Sequence, residues 1–321
     1  MTEALLQPEI SVITCAHNPR PDYLRQVIEA LAEQTLDKHR WEYLLIDNES
    51  EQPLTFLADL SWHPHGRHVR EEKVGLTHAR LRGIQESVSD MLVFVDDDNV
   101  LDPDYLEQVV RLSAAWPVIG AFSGQVRPRF EEEPPEWTRK YWNRLAIREF
   151  DQDHWSNIPC LDHTTPNGAG LCVRRRVALE YLGYHEKGMR KIVLDRMGAS
   201  LLSAGDLDLA ATACDLGFGN GLFADLKLTH LMPRERLEEN YLIKLLEAQT
   251  FSAVVLNSFR SNGESQQSNK GLKTLVADQL RLLAKDRRER RFSRAAANGE
   301  RKALQILSNG NVSVKRKDSS A

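Results

Sequence analysis

The sequence has few cysteines and lacks the patterns that would organise them. Its four cysteines, Cys15, Cys160, Cys172 and Cys214, are widely spaced and form no CxxC pair. A zinc ribbon, a thioredoxin-type site and a disulfide framework are therefore not expected, and the spacing favours reduced thiols in a cytosolic protein. Residues 1–9 have no basic start and no apolar core, so we expect no signal peptide.

Long apolar runs and a strong excess of one charge are also missing. No stretch approaches the roughly 18 apolar residues of a membrane-spanning helix, so we expect a soluble, cytoplasmic protein. The net charge of -4 does not indicate nucleic-acid binding. The turn after the first apolar run reads Ala16-His17-Asn18-Pro19, without the GxGxxG that a nicotinamide-dependent oxidoreductase would need there.

The patterns that are present predict an α/β fold. The chain has 321 residues, 41% of them hydrophobic, which is enough for one large or two fused domains. Apolar runs at residues 10–15, 41–46 and 91–95 predict strands, and the helical spacing within 23–34 and 75–87 predicts helices. This β-α-β order predicts a mostly parallel sheet flanked by helices.

The second half of the chain is less regular. Residues 128–155 are rich in Pro, Glu, Arg and Trp, and we expect an irregular segment that shapes a pocket. A helix is predicted at 203–216, a last strand at 223–230 and another helix at 236–259.

Three carboxylates, Asp96-Asp97-Asp98, directly follow the apolar run at 91–95. Ligands of open α/β sheets bind at the carboxyl ends of strands. Because strand side chains alternate, Asp96 and Asp98 share a face and could hold a divalent ion that bridges to substrate phosphates. The alternative is a solvated turn in which Asp98 or Asn99 caps the next helix.

Asp47 ends another predicted strand at the same edge of the sheet. A carboxylate there can accept hydrogen bonds from a ribose or a base. Asp-Asn pairs are also common in turns, so a purely local role stays open.

Taken together, seven segments resemble family 2 glycosyltransferases of the GT-A fold. They are residues 10–20 (ISVITCAHNPR), 43–50 (YLLIDNES), 73–84 (KVGLTHARLRGI), 92–106 (LVFVDDDNVLDPDYL), 167–176 (NGAGLCVRRR), 203–210 (SAGDLDLA) and 229–237 (THLMPRERL). The resemblance covers about residues 8–245, and the order and spacing of the segments are more specific than any one of them.

The resemblance implies a donor site with a divalent ion, Mn²⁺ or Mg²⁺. The implied nucleotide-binding residues are Ala16, Asn18, Asp47, Arg80, Asp96 and Asp97, and the implied metal ligands are Asp96, Asp98 and His230. The sequence departs from the family where Ala16 replaces a frequent Thr and where Leu81, not Asn, follows Arg80.

The resemblance also implies an inverting reaction with a carboxylate as general base. Asp206 matches the Asp of the family's ED motif and is the first candidate, with Asp208 in reserve, although Gly205 stands where the Glu is expected. Both acids could instead stabilise a helix N-terminus. The implied sugar and acceptor residues are Asn167, Gly168, Gly170 and Trp137.

Two further sets of residues carry open alternatives. Trp137, Trp142 and Trp155 lie among charged residues, where aromatic rings either pack on sugars or pack in the core. The run Arg174-Arg175-Arg176 offers either a phosphate contact or surface charge.

By this resemblance, residues 1–120 form a nucleotide-sugar-binding half and 121–235 an acceptor and catalytic half of one GT-A domain, followed by a helical basic extension at 236–321. The expected activity is transfer of a hexose from a UDP-sugar to a saccharide or lipid-linked acceptor. A non-catalytic binder of sugar nucleotides or polysaccharides is the alternative. An aspartyl phosphatase is not favoured, because its DxD lies near the start of the fold and precedes a Thr, where here Asn99 follows.

The tail differs in charge from the rest of the chain. After a polar linker at 263–269, residues 270–318 hold 14 basic and 5 acidic side chains. Such a segment either contacts anionic lipid headgroups, as a lipid-linked acceptor would require, or is a solvated helix or disordered extension. The oligomeric state is left open.

Overall fold

The computed structural model describes residues 7–198, 200–261 and 286–318. These residues form two compact units. The first comprises the chain up to Val193 together with Gly205–Arg236, and the second comprises Leu194–Ala204 together with the chain from Leu237 onward.

The described part of the first unit contains a nine-stranded sheet. Its order is β3-β2-β1-β4-β8-β6-β9-β5, with β7 also paired to β9. The strands are β1 Ile10–Ala16, β2 Trp41–Asn48, β3 Gly66–Glu71, β4 Met91–Phe94, β5 Asn99–Leu101, β6 Ile119–Phe130, β7 His154–Ser156, β8 Leu171–Arg174 and β9 Gly219–Met232.

Seven α-helices and four 3-10 segments lie within the described residues. The helices are α1 Pro21–Ala32, α2 Leu76–Glu86, α3 Tyr105–Ala115, α4 Arg175–Glu186, α5 Gly205–Asp215, α6 Glu239–Ser258 and α7 Arg287–Asp318. The 3-10 segments are Lys38–Arg40, Leu54–Phe56, Glu136–Leu145 and Arg234–Leu237. Among the helices that are described, none combines the length and the apolar composition needed to cross a membrane.

The first four strands of the sheet are parallel, and β1, β2 and β4 are buried along their whole length. β1 lies between β2 and β4, and β3 pairs with the outer edge of β2. Alternate residues pack into a core on each face, Val12 in one and Ile13 in the other, because successive strand side chains point to opposite faces. The register sets Ala16 beside Asp47, so the carboxyl ends of these strands lie together, and the predicted α/β class is confirmed.

The remaining strands bring later parts of the chain to the carboxyl ends of the parallel strands. β8 pairs antiparallel with β4 and β6, and β9 pairs parallel with β6 and antiparallel with β5. This last pairing sets His230 opposite Asn99. A residue of the last strand is thereby held next to the acidic run that follows β4.

Strand β6 and helix α4 were not among the predicted elements. Gly120, Gly124 and Pro128 interrupt the apolar pattern of β6, which weakens its strand signal. At Gly124 the neighbouring strand is too close for any side chain, since an added Cβ would collide with the backbone carbonyl of Leu226. The segment predicted to be irregular contains the end of β6, the 3-10 segment Glu136–Leu145 and β7.

The second unit pairs α6 with α7. Arg288 donates to Glu239 at 3.0 Å, and Lys302 donates to Glu247 at 2.6 Å. A Cβ at Gly299 would collide with the Glu247 carbonyl, so the two backbones approach closely. The predicted helix at 236–259 is confirmed by α6, while the predicted linker at 263–269 lies outside the described residues.

Candidate functional site

The loops that follow β1 and β2 are joined by hydrogen bonds. The Asn18 backbone N–H donates to Ser50 Oγ at 3.0 Å, and Asn18 Oδ1 accepts from the Glu51 N–H at 2.8 Å. Asn18 has a positive φ of 47°, a conformation that Asn tolerates better than most residues. Asn18 and the buried Ala16 therefore lie at the strand edge, and their nucleotide contact stays a prediction.

Asp47 is bonded within its own loop. Its carboxylate accepts from the N–H groups of Ser50 at 3.0 Å and Leu54 at 3.2 Å, and from Arg70 Nη1 at 2.7 Å. Burial opposes ionisation, but these hydrogen bonds outweigh it and lower the pKa of Asp47. The structure thus gives Asp47 the turn role, and a contact with the nucleotide stays a prediction.

Asn48 is a positioning residue that the sequence did not single out. Its Nδ2 donates to the carbonyl of Lys73 at 2.7 Å, and its Oδ1 accepts from the Gly75 N–H at 2.8 Å. Gly75 has a φ of 136° and precedes the first turn of α2. Asn48 therefore fixes where α2 begins, and α2 carries Arg80.

Arg80 is a buried cation at the acidic edge. Its side chain is 4% exposed, and Nη2 lies 3.9 Å from Asp96 Oδ1. A Cβ added to Gly168 would lie 2.8 Å from the same Nη2 atom and 3.2 Å from Asp206 Oδ2. Gly168 is consequently the residue that allows Arg80 and Asp206 to approach each other.

Asp96 lies where several charges meet. Burial raises the pKa of its carboxyl, Arg80 opposes that shift, and the negative charges of Asp98 and Asp206 add to it. The resulting pKa is about 6. The structure therefore brings together two of the predicted acids around Asp96, while Asp97 is partly buried beside it.

Asp98 connects three distant parts of the first unit. Its Oδ2 lies 3.3 Å from His230 Nε2 and accepts from Arg236 Nη2 at 2.8 Å, and its Oδ1 accepts from Asn99 Nδ2 at 2.9 Å. Its own carbonyl accepts from the Leu231 N–H at 2.8 Å. The predicted pair of Asp98 and His230 is thus in contact, and Arg236 is a member of the cluster that the sequence did not predict.

Asp206 and Asp208 differ sharply although they are two residues apart on α5. Asp206 Oδ2 accepts from the Gly168 N–H at 2.6 Å and adds its charge to that of the Asp96 cluster. Asp208 forms a two-point ion pair with Arg190, at 2.7 and 3.1 Å, and the two side chains are 3% and 4% exposed. Of the two candidate bases, the structure places only Asp206 beside the other site residues.

Arg148 is a second cation near Asp206 that the sequence did not predict. It donates to the carbonyls of Thr165 at 3.0 Å and Asp162 at 3.3 Å. Burial lowers its pKa, and the charges of Asp162 and Asp206 oppose that shift. Arg148 therefore fixes the loop that leads to Gly168.

The predicted sugar and acceptor residues fall into two groups. Asn167 donates to the carbonyl of Ala146 at 3.3 Å and adjoins Gly168, whereas Gly170 has a φ of 66° and accepts from the Tyr105 hydroxyl at 2.7 Å. Trp137 lies in the 3-10 segment Glu136–Leu145 with its ring centroid 6.3 Å from that of Tyr141. Trp142 packs on Phe130, and Trp155 packs on Trp116 while remaining 54% exposed.

The three consecutive arginines, residues 174–176, contact backbone carbonyls, a serine and an aromatic ring. Arg174 donates to the carbonyls of Ile119, Ser113 and Trp116, and Arg175 donates to Ser87. Arg176 is exposed, with its guanidinium 5.9 Å from the Phe218 ring centroid. Backbone carbonyls and solvent, rather than an anion pocket, surround this run.

The carboxylate oxygens and the imidazole nitrogen of the cluster are atoms that can coordinate a hard divalent ion. In octahedral coordination two adjacent ligands lie about 3 Å apart, close to the 3.3 Å between Asp98 Oδ2 and His230 Nε2. Within the described ranges no three His, Cys, Asp or Glu side chains converge as a complete metal site. Such ions are commonly held by one or two protein ligands, with substrate phosphates and waters completing the shell.

The structure is an α/β protein with an acidic cluster at the carboxyl ends of its parallel strands, which is where proteins with open α/β sheets bind their ligands. Comparison with known proteins identifies the family: the chain belongs to glycosyl transferase family 2, whose profile matches residues 11–173. The family that the sequence resembles is therefore confirmed.

Two curated relatives are similar to part of the chain. The glucosyl-dolichyl phosphate glucuronosyltransferase of Haloferax volcanii is 23% identical over 188 residues, which cover 57% of this chain and 58% of that protein. The putative glycosyltransferase EpsH of Bacillus subtilis is 27% identical over 106 residues, or 32% of this chain and 30% of EpsH. The chain thus spans little more than half of the first relative and under a third of the second.

Solved structures share the fold. The mannosyltransferase PcManGT from Pyrobaculum calidifontis, in complex with GDP-Man and Mn²⁺, has a TM-score of 0.56 at 18% identity, covering 95% of this chain and 80% of that one. S. aureus TarS 1-349 in complex with UDP-GlcNAc has a TM-score of 0.51 at 12% identity, covering 94% and 92%. The GT-A fold is therefore confirmed.

Proposed function

We propose that this glycosyltransferase moves a hexose, with inversion, from a nucleoside diphosphate donor to a hydroxyl of a saccharide or lipid-linked acceptor. The expected donor is a UDP-sugar. The observation that carries the proposal is the convergence of Arg80, Asp96, Asp98, Asp206 and His230 at the carboxyl ends of the parallel strands.

In this proposal Asp206 is the general base. Its carboxylate takes the proton from the acceptor hydroxyl as the oxygen attacks the anomeric carbon, and the bond to the diphosphate oxygen breaks with its electron pair. The Gly168 N–H holds Oδ2 at 2.6 Å, which fixes the orientation of the carboxylate. Asp208 is not proposed for this role, because both of its oxygens bind the buried Arg190.

Asp98 and His230 would hold the divalent ion, with Asp96 on the nucleotide side of it. When bound, such an ion neutralises the charge that develops on the departing diphosphate. Arg80 places a fixed positive charge against Asp96 and limits the repulsion among the carboxylates. Nucleotide contacts from Ala16, Asn18, Asp47 and Asp97 are part of the proposal because these residues border the same edge.

The acceptor side is proposed to involve Asn167, Gly168 and Gly170, on the loop that Arg148 fixes. Trp137 remains a proposed sugar contact from the neighbouring 3-10 segment. Contact of the basic extension with anionic lipid is also a proposal; Arg288 and Lys302 already pair with acids of α6, whereas Arg287, Arg294 and Arg301 are exposed.

Calorimetric titration with UDP and GDP, in Mn²⁺ and then in chelator, tests the donor site. We expect one nucleotide to bind with Mn²⁺ and to bind far more weakly in chelator or to Asp98→Ala. Glu29→Ala, on the exposed face of α1, is the control that should bind normally. Absence of binding to any nucleoside diphosphate would contradict the proposal.

A further inference from the structure

Arg236 bridges the two side chains proposed to hold the divalent ion. Its Nη2 lies 2.8 Å from Asp98 Oδ2, and its Nη1 lies 2.9 Å from His230 Nε2. These acceptor atoms are the same two that lie 3.3 Å apart. The guanidinium fork therefore covers the position from which an ion would contact both ligands.

The contact with Arg236 determines which nitrogen of the His230 ring acts as a hydrogen-bond acceptor. A guanidinium only donates hydrogen bonds, so His230 Nε2 must accept through its lone pair. The proton of the neutral ring then resides on Nδ1, which is buried and has no hydrogen-bond partner among the described residues. A metal ion would require the same Nε2 lone pair and the same Asp98 oxygen, so the two cations cannot be bound there together.

This arrangement differs from the buried ion pair of the same unit. In the pair of Arg190 and Asp208, both guanidinium contacts go to one carboxylate, and both side chains are under 5% exposed. Arg236 instead divides its contacts between a carboxylate and a neutral imidazole, and its side chain is 19% exposed. Its side chain is thus less enclosed than that of Arg190, and these two contacts are shared between two different partners.

We propose that Arg236 is an internal cation that competes with the divalent ion for Asp98 and His230. When the ion binds, the displaced guanidinium turns to the diphosphate of the donor, where its planar fork matches phosphate oxygens. The exchange keeps the 11%-exposed Asp98 carboxylate beside a positive charge at every stage. This inference rests on the proposed function and adds a positioning and diphosphate-contacting residue to it.

The test is a titration of the whole chain with Mn²⁺ alone, followed through the electron paramagnetic resonance of free Mn²⁺. Arg236→Met removes the competitor, so we expect Mn²⁺ to bind about tenfold more tightly, the equivalent of one lost charge-assisted hydrogen bond. With Mn²⁺ saturating, the same variant should bind UDP about tenfold more weakly, because the phosphate contact is lost. The same variant should therefore show a higher affinity for Mn²⁺ and a lower affinity for UDP.

Arg234→Met is the matched control, since Arg234 lies in the same turn but is 64% exposed and pairs with Glu132 and Glu235. It should leave both affinities unchanged. Arg236→Lys keeps the charge without the fork, and its Mn²⁺ affinity should lie between those of wild type and Arg236→Met. It also allows the test to proceed if the methionine variant does not fold.

The outcomes separate this inference from the proposed function. If wild type binds UDP with Mn²⁺ but the Arg236 variants bind Mn²⁺ no more tightly, the competition is overturned and the donor site stands. If neither wild type nor the variants bind Mn²⁺, either alone or with UDP present, both the competition and the proposed metal site fail. Tighter Mn²⁺ binding with unchanged UDP binding would overturn the diphosphate contact.

Discussion

Asp47 and Asp98 both lie near the carboxyl end of a parallel strand, yet their partners come from different distances along the chain. Asp47 binds Ser50, Leu54 and Arg70, the farthest of them 23 residues away, and these bonds lower its pKa. Asp98 binds Arg236, 138 residues away, and also lies against His230.

The difference distinguishes two kinds of carboxylate. The oxygens of Asp47 and Asp208 accept hydrogen bonds from donors in their own surroundings, and at Asp47 these bonds favour the ionised form. At Asp96, burial raises the pKa, Arg80 opposes that shift, and the nearby negative charges of Asp98 and Asp206 add to it, so the ionised form costs stability. Acids that lie close together at a sheet edge, with a perturbed pKa among them, are typical of a functional site.

The largest expected effect is on catalysis at the acidic cluster. Asp206→Asn keeps the shape but removes the proposed base, so we expect the transfer rate to fall by about 10²- to 10⁴-fold. UDP-donor binding should stay within about twofold, because the base acts on the acceptor. Initial transfer rates and calorimetric binding check this, with Asp215→Asn on the exposed end of α5 as control. A variant that kept its rate would exclude Asp206 as the base.

The second effect is on stability and concerns Asp208, the carboxylate that is paired with the buried Arg190. Asp208→Ala leaves Arg190 buried without its counter-charge, so we expect a loss of about 3–5 kcal/mol in the free energy of unfolding. Replacing both residues by apolar ones of similar volume should recover most of that loss. Urea denaturation measures both variants. A stable Asp208→Ala protein with normal folding but no activity would instead return Asp208 to the candidate bases.

A smaller effect is expected at the β2 loop. Asp47→Asn weakens the ion pair with Arg70, and we expect a loss of about 1–3 kcal/mol at pH 7. Because the folded-state pKa of Asp47 is lowered, its contribution is present above the unfolded value of about 4 and is lost as the pH falls through the folded value. The gap between wild type and variant, measured by urea denaturation, should therefore narrow below pH 4. A gap independent of pH would show that the ion pair contributes nothing.

The smallest effect has the opposite sign and occurs at Asp96. Its pKa is raised to about 6, so the ionised carboxyl destabilises the folded state above that pH, and the penalty disappears as the pH falls towards the unfolded value of about 4. In chelator, Asp96→Asn should therefore have a slightly higher melting temperature than wild type at pH 8 and an equal one near pH 4. A lower melting temperature at pH 8 would mean that the attraction of Arg80 outweighs the effect of burial at Asp96.

The local part of the fold could be predicted from the sequence. The apolar runs of β1, β2 and β4, and the helical spacing of α1 and α2, each lie within about a dozen residues. Strand β6 could not be predicted in the same way, because its Gly124 allows a close approach to β9 that only the assembled sheet creates.

For the candidate site, the sequence by itself determined which acids end the parallel strands, since strand order and side-chain alternation follow from local pattern. Only the tertiary structure decided which acids share a site and which are neutralised. Asp206 and Asp208 stand in nearly the same sequence context, but Gly168 meets one and Arg190 the other. Arg236 joins Asp98 because β9 pairs with β5, and hydrogen bonding between strands over a hundred residues apart has no local signature.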